Sequence, residues 1–233
     1  MHHTLTRTDR INLALVVGTF VFGLIVDQHG GLAGQLAVSA WSWGVMFRLL
    51  RTSPREWRLP FWVCLCWATF GEIFLSLVWG LYTYRLDNIP FYIPPGHVLL
   101  FWLGLTFASR VPAAFVALVP ATAVAYAAYA WINGVDTVSI LLIALFVLCM
   151  LQGEGRRLYA VMFVASLAVE LYGTWMGNWL WHPEVPHFGL TSANPPIAAG
   201  SFYCMLDVLV GLTVRGIVRR LRSLPFLGPQ PTS

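Results

Sequence analysis

Three stretches of the chain, 13–26, 61–79 and 140–150, are apolar on all sides, with no polar face and no two-residue alternation. A transmembrane barrel would need segments of about ten residues with alternating polarity, so the pattern predicts helices. About 20 apolar residues cross a bilayer, and clusters of Pro, Gly and Arg divide the chain into eight candidate spans: 11–27, 32–50, 60–84, 96–109, 111–131, 137–152, 158–181 and 196–214. The fourth is short: at ~1.5 Å per residue its fourteen residues cover only ~21 Å of a ~30 Å core. The expectation is an all-α polytopic membrane protein with seven or eight transmembrane helices, one domain over 1–233 ending in a disordered tail, 223–233.

Composition agrees. The 233 residues are 58% hydrophobic and 10% charged, with mean hydropathy +0.70, against roughly 25% charged in soluble domains. All fourteen basic residues are arginine, which excludes Schiff-base chemistry on a lysine and a GxxxxGK[ST] phosphate loop. With eight spans and the N-terminus inside, thirteen of the fourteen arginines face the cytoplasm and only Arg85 lies outside, as the positive-inside rule requires. Both termini are then cytoplasmic, the membrane is a bacterial inner membrane, and the net charge of +4 reads as contact with anionic lipid rather than nucleic acid. The four cysteines lie in apolar runs and read as packing residues.

A pattern occurs twice. Glu72 is followed by Gly80-Leu-Tyr82-Thr-Tyr84-Arg85, Asp87 and Pro94-Pro95; Glu170 is followed by Gly177-Asn-Trp179-Leu-Trp181-His182, Glu184 and Pro195-Pro196. The copies fall four spans apart, which predicts a parallel repeat with halves 1–110 and 111–222.

Of ten acidic residues, Glu72, Glu170 and Asp207 alone fall near the middle of a span. A charged Asp at that depth costs ~2.5–3.5 kcal/mol and marks a functional site by default. No arginine lies at the same depth, and low dielectric favours the neutral acid. Hydroxyls one helical turn away offer partners: Thr69 and Ser76 for Glu72, Ser166 and Thr174 for Glu170, Tyr203 for Asp207. Aromatic residues gather nearby: Trp62, Trp67, Trp79, Tyr82, Tyr84, Trp102, Trp175, Trp179 and Trp181. Part of this set is an interfacial belt, but aromatic faces also stabilise a desolvated cation by ~2 kcal/mol or more. Carboxylic acids beside aromatic walls suit protonation of an alkene or epoxide. Metal chemistry has less support: His97, His182 and His187 lack HExxH or repeated HxxxH spacing, and no DDxxD pair is present for magnesium and diphosphate.

Two intramembrane acids, Glu72 in a middle span and Asp207 in the last, in a chain of this size, resemble the integral-membrane terpene cyclases of meroterpenoid and drimentine-type biosynthesis. The resemblance implies that Glu72 and Asp207 form the acid pair that starts cyclisation. The Glu-to-Gly-aromatic-x-aromatic stretches at 72–84 and 170–181 look loosely like membrane lycopene cyclases and carotenoid hydratases, without the Pro-x-Glu-Glu signature of the former. Terpene cyclases of this type are described with seven spans.

The expected site is a cavity between spans three, seven and eight, closed by loops 85–95 and 182–195. Glu72 or Asp207 is its general acid and Glu170 supports them. Trp79, Tyr82, Trp102, Trp175, Trp179, Tyr203, His97 and Asn194 line a hydrophobic isoprenoid or other lipid substrate, with membrane lipids around the protein and neither metal nor cofactor required. A small proton-coupled transporter using the same carboxylates is the alternative; a noncatalytic membrane partner is a third reading.

Overall fold

The apolar runs form helices whose outward faces stay apolar: Phe22, Ile132 and Leu148 are among the most exposed side chains. The structure, a computed structural model, describes residues 5–152 and 155–222; Glu154 and the expected tail 223–233 lie outside the described residues. Five helical stretches are long and apolar enough to cross a bilayer: Arg7–Thr52, Arg55–Val78, Ala113–Asn133, Arg156–Met176 and Gly200–Arg220. The chain is an all-α integral membrane protein.

The first stretch is two antiparallel arms. Arg7–Gly18, a π-helical turn Thr19–Gly23 and residues 24–30 form α1. Gly31, with φ 57° and ψ −149°, then reverses the chain into α2, residues 32–52. Only glycine adopts that conformation without strain. The arms are pinned by Trp41 Nε1 donating to Thr19 Oγ1 at 2.9 Å and by Asn12 Nδ2 donating to Thr52 Oγ1 at 3.0 Å.

The third and seventh helices end earlier than their hydrophobic runs predict. α3, Arg58–Glu72, continues as a π-helix, Ile73–Val78. α7, Arg156–Met176, stops at Gly177. Gly80 and Gly177 both take positive φ, 76° and 80°, and turn the chain into two short strands, β1 (Tyr82–Tyr84) and β2 (Trp179–Trp181). These pair antiparallel with Thr83 opposite Leu180 at the centre. The remaining elements are α4 (Ile93–Ala108), α5 (Ala113–Asn133), α6 (Val138–Leu151), a small hairpin of β3 (Glu184–Val185) and β4 (Leu190–Thr191), and α8 (Gly200–Arg222).

The order helix, short strand, helix occurs twice, in α3–β1–α4 and in α7–β2–α8. The four helices form a ring in which α3 packs on α4 and α8, and α7 packs on α8 and α4; outside it, α2 packs on α4 as α6 packs on α8. Between the two halves Thr83 pairs with Leu180, and the His97 and Tyr203 rings stack 4.9 Å apart and 10° from parallel.

Two acids that the sequence places at span ends are buried clasps. Asp27 accepts from Tyr92 Oη and Asn178 Nδ2 and faces Arg85 Nη2 at 3.5 Å, which gives the lone arginine of that end its counter-ion. Asp136 accepts from Ser139 Oγ and the Ile197 amide and so holds the approach to α8.

Candidate functional site

Each repeated glutamate is satisfied by its own strand. Glu72 Oε2 accepts from Tyr82 Oη at 2.8 Å and Tyr84 Oη at 2.6 Å. Glu170 Oε2 accepts from Trp179 Nε1 at 2.8 Å and Trp181 Nε1 at 3.1 Å, while its Oε1 accepts from Tyr203 Oη at 2.9 Å. The aromatic-x-aromatic spacing explains this directly: alternate residues of a strand face the same side, so both rings of each pair fold back over the helix they left. Gly173 makes room, since a Cβ there would lie 2.0 Å from the Trp179 ring.

The expected hydroxyl partners do not serve the acids. Thr69, Ser76, Ser166 and Thr174 all donate to backbone carbonyls, as hydroxyls inside helices commonly do. Tyr203, expected beside Asp207, serves Glu170 instead.

The other oxygen of Glu72 faces His97 Nε2 at 3.4 Å. His97 Nδ1 lies 3.0 Å from the Ile93 carbonyl. A carbonyl only accepts, so this contact places a proton on Nδ1 and leaves Nε2 facing Glu72. Beyond the end of the α3 helix, the Tyr82 and Tyr84 phenols are held well above the ordinary tyrosine range, first by burial and then by the charge on Glu72. Both remain protonated donors.

Both carboxyl groups border a cavity of about 410 Å³, a common size for a small-molecule site. Its walls come from α3, α6 and α8, and the β3–β4 hairpin covers one end. Trp67, Phe74, Trp79, Tyr82, Trp181 and Phe202 supply aromatic faces; among the described residues no arginine lines it. Phe70, Phe74 and Leu141 line the cavity and are also exposed on the outer surface. Exposed apolar side chains of both helical walls therefore form part of its rim.

The structure separates the expected site residues into two groups. Glu72, Glu170, Trp79, Tyr82, His97 and Tyr203 border the cavity, and Trp179 reaches Glu170 from behind. Four others are elsewhere. Asp207 is buried, and neither of its oxygens has a hydrogen-bond partner among the described residues; it does not border the cavity, where the carboxyl groups are those of Glu72 and Glu170. Trp102 is packed inside the α4 core, and Trp175 is 78% exposed on the outer flank. Asn194 accepts from the Trp181 amide at 2.9 Å and orders β2. A helix presents different faces at successive positions, and the sequence did not show which face met the cavity. His97 and His182 border the cavity, but among the described residues no group of three or more His, Cys, Asp or Glu is placed to hold a metal ion.

Sequence reasoning missed the α6 wall, Val138, Leu141, Leu142 and Leu145, because an evenly apolar helix carries no mark of the side that faces a substrate. Tyr84 and Trp181 stand in the repeated pattern and in the aromatic cluster but not among the expected site residues, although their spacing from the glutamates was the available signal. No protein-family model, curated protein or solved structure matches this chain.

Proposed function

We propose that this protein is a membrane-embedded acid-catalysed cyclase or isomerase acting on a hydrophobic isoprenoid. One observation carries the reading: two buried carboxyl groups, differently partnered, border one aromatic-walled cavity whose rim includes exposed apolar side chains. A neutral, apolar substrate fits a cavity without arginine and reaches it sideways from the bilayer. Eight membrane crossings with both termini on the arginine-rich, cytoplasmic side of a bacterial inner membrane accord with the helical arms.

The two glutamates take different roles. Indole N–H groups only donate, so Trp179 and Trp181 hold Glu170 as an acceptor. Glu72, with a histidine and two phenols, is the general acid. Its O–H breaks as the proton adds to an alkene carbon, or opens an epoxide, and a C–H or O–H bond forms. The cation left on the neighbouring carbon lies against the Trp181, Tyr82 and Phe202 faces, where cation–π attraction stabilises it. An internal alkene closes the ring by forming a C–C bond, and loss of a proton to Glu170 ends the reaction. Atoms balance as an isomerisation.

The test is mass spectrometry of lipid extracts from a host supplying linear and epoxidised isoprenoids, with wild type, Glu72→Gln and Glu170→Gln at matched membrane levels. The expected result is a product of unchanged mass and new retention time in wild type, reduced at least ~100-fold in both variants, the usual loss when a general acid or base is removed. Extracts identical to the empty vector would count against the enzyme. The repeated helix–strand–helix order, with internal repeats being common in carriers, favours proton-coupled transport as the second reading; pH-dependent flux without a new product would select it.

A further inference from the structure

The repeat of α3–β1–α4 in α7–β2–α8 implies a counterpart to the large cavity. Exchange of α3, α6 and α8 for α7, α2 and α4 leads to a second, smaller cavity of about 50 Å³, which α1 also borders. The two cavities share a wall: Glu72, Glu170, Tyr82, His97 and Tyr203 border both. The carboxyl pair is thus a septum with an apolar chamber on one side and a smaller one on the other.

Thr19, Ser42, Tyr84 and Tyr92 also border the smaller chamber; the hydroxyls of Thr19, Tyr84 and Tyr92 donate to the Leu15 carbonyl, Glu72 and Asp27. Ser42 is 1% exposed, and its Oγ has no hydrogen-bond partner among the described residues. A buried hydroxyl without a partner costs ~1–3 kcal/mol, and buried polar groups in that position are commonly satisfied by ordered water. A water needs ~10–15 Å³ of such space and two to four polar partners. About three fit here, and the hydroxyls, His97 and the carboxyl oxygens supply the partners.

We propose that the chamber between α1, α2, α4 and α7 is a water site, anchored on Ser42, that contacts both carboxyl groups from the side away from the substrate. It gives the pair a route to reset. A proton taken up by Glu170 passes to water, and water passes one to Glu72, so one O–H bond breaks as another forms and no water is consumed. The septum keeps this water off the cation in the large cavity and directs the reaction to proton loss rather than hydration. The resetting role rests on the acid-pair reading; the water site does not.

Radiolytic footprinting in isotopically labelled water tests the site without any substrate. Hydroxyl radicals formed from bound water oxidise side chains beside it. Leu100 borders the chamber, and its neighbour Leu99 packs in the core; they are 2% and 0% exposed. In purified wild-type protein Leu100 should label several-fold faster than Leu99, and Ser42→Ala should bring Leu100 down to the Leu99 rate with little change in melting temperature. Equal labelling of the two leucines in wild type would overturn the water site. Undiminished Leu100 labelling in Ser42→Ala would overturn Ser42 as its anchor. In the product assay Ser42→Ala should slow turnover without altering the product; unchanged turnover would overturn the resetting role. A wild type that makes no product but labels Leu100 would refute the acid-pair reading and leave the water site standing.

Discussion

Replacing Glu170 by leucine and by glutamine separates its structural work from its chemistry. Leucine leaves the Trp179 and Trp181 N–H groups and the Tyr203 hydroxyl without their acceptor. The phenol can rotate toward the neighbouring chamber, but the two indoles are fixed by β2. At ~1–3 kcal/mol for each stranded donor, two donors cost ~2–6 kcal/mol. The added apolar burial of leucine returns ~1–2 kcal/mol, so the net loss is about 1–4 kcal/mol. Glutamine behaves differently: its carbonyl can face the two indoles while its amide donates to the Tyr203 oxygen, which accepts as readily as it donates. The lost charge assistance is partly offset by easier burial, and the net change should stay within about 1 kcal/mol. At roughly 2–4 °C per kcal/mol for a chain of this size, thermal unfolding in detergent should place Glu170→Leu about 2–16 °C below wild type and Glu170→Gln within about 4 °C of it. Both variants should lose product. A leucine variant as stable as wild type, or a glutamine variant as unstable as leucine, would refute the hydrogen-bond assignment around this carboxyl group.

Three further outcomes follow from the same geometry. Gly173→Ala should destabilise by ~1–3 kcal/mol through overpacking against Trp179, and Trp179→Phe should remove much of that penalty; strictly additive melting temperatures in the double variant would show that the two residues do not touch. Burial and Glu72 raise the Tyr82 and Tyr84 phenols, and burial and Asp27 raise Tyr92. The unfolded chain therefore releases protons above pH ~10 while the fold retains them, so stability should be complete below that pH and fall as pH rises beyond it. Tyr84→Phe should flatten this fall when melting is followed from pH 9 upward, and an unchanged slope would remove Tyr84 from the account. Asp207→Asn should keep the product that Glu72→Gln and Glu170→Gln lose, and its loss would return Asp207 to the acid pair that the terpene-cyclase resemblance implied.

Much of this architecture was legible in the residues. Unbroken apolar runs determined an all-helical membrane protein, because a chain in lipid must satisfy its backbone internally. The repeated Glu, Gly and aromatic-x-aromatic spacing marked both halves of the site, since a glycine at positive φ and a two-residue period act locally. Partnership was settled by the fold alone. The hydroxyls nearest each glutamate in sequence turn to the backbone, whereas Tyr82 and Tyr84 return from beyond the helix end to reach Glu72. Asp207 has the same midspan position as Glu72 and Glu170 yet faces away from the cavity, and Asp27, at a helix end, clasps Arg85 across the molecule. Depth in the bilayer is a property of position along one helix and can be counted from the sequence. Facing is a property of how eight helical arms pack, and it is decided by contacts between residues as distant in sequence as Glu170 and Glu72.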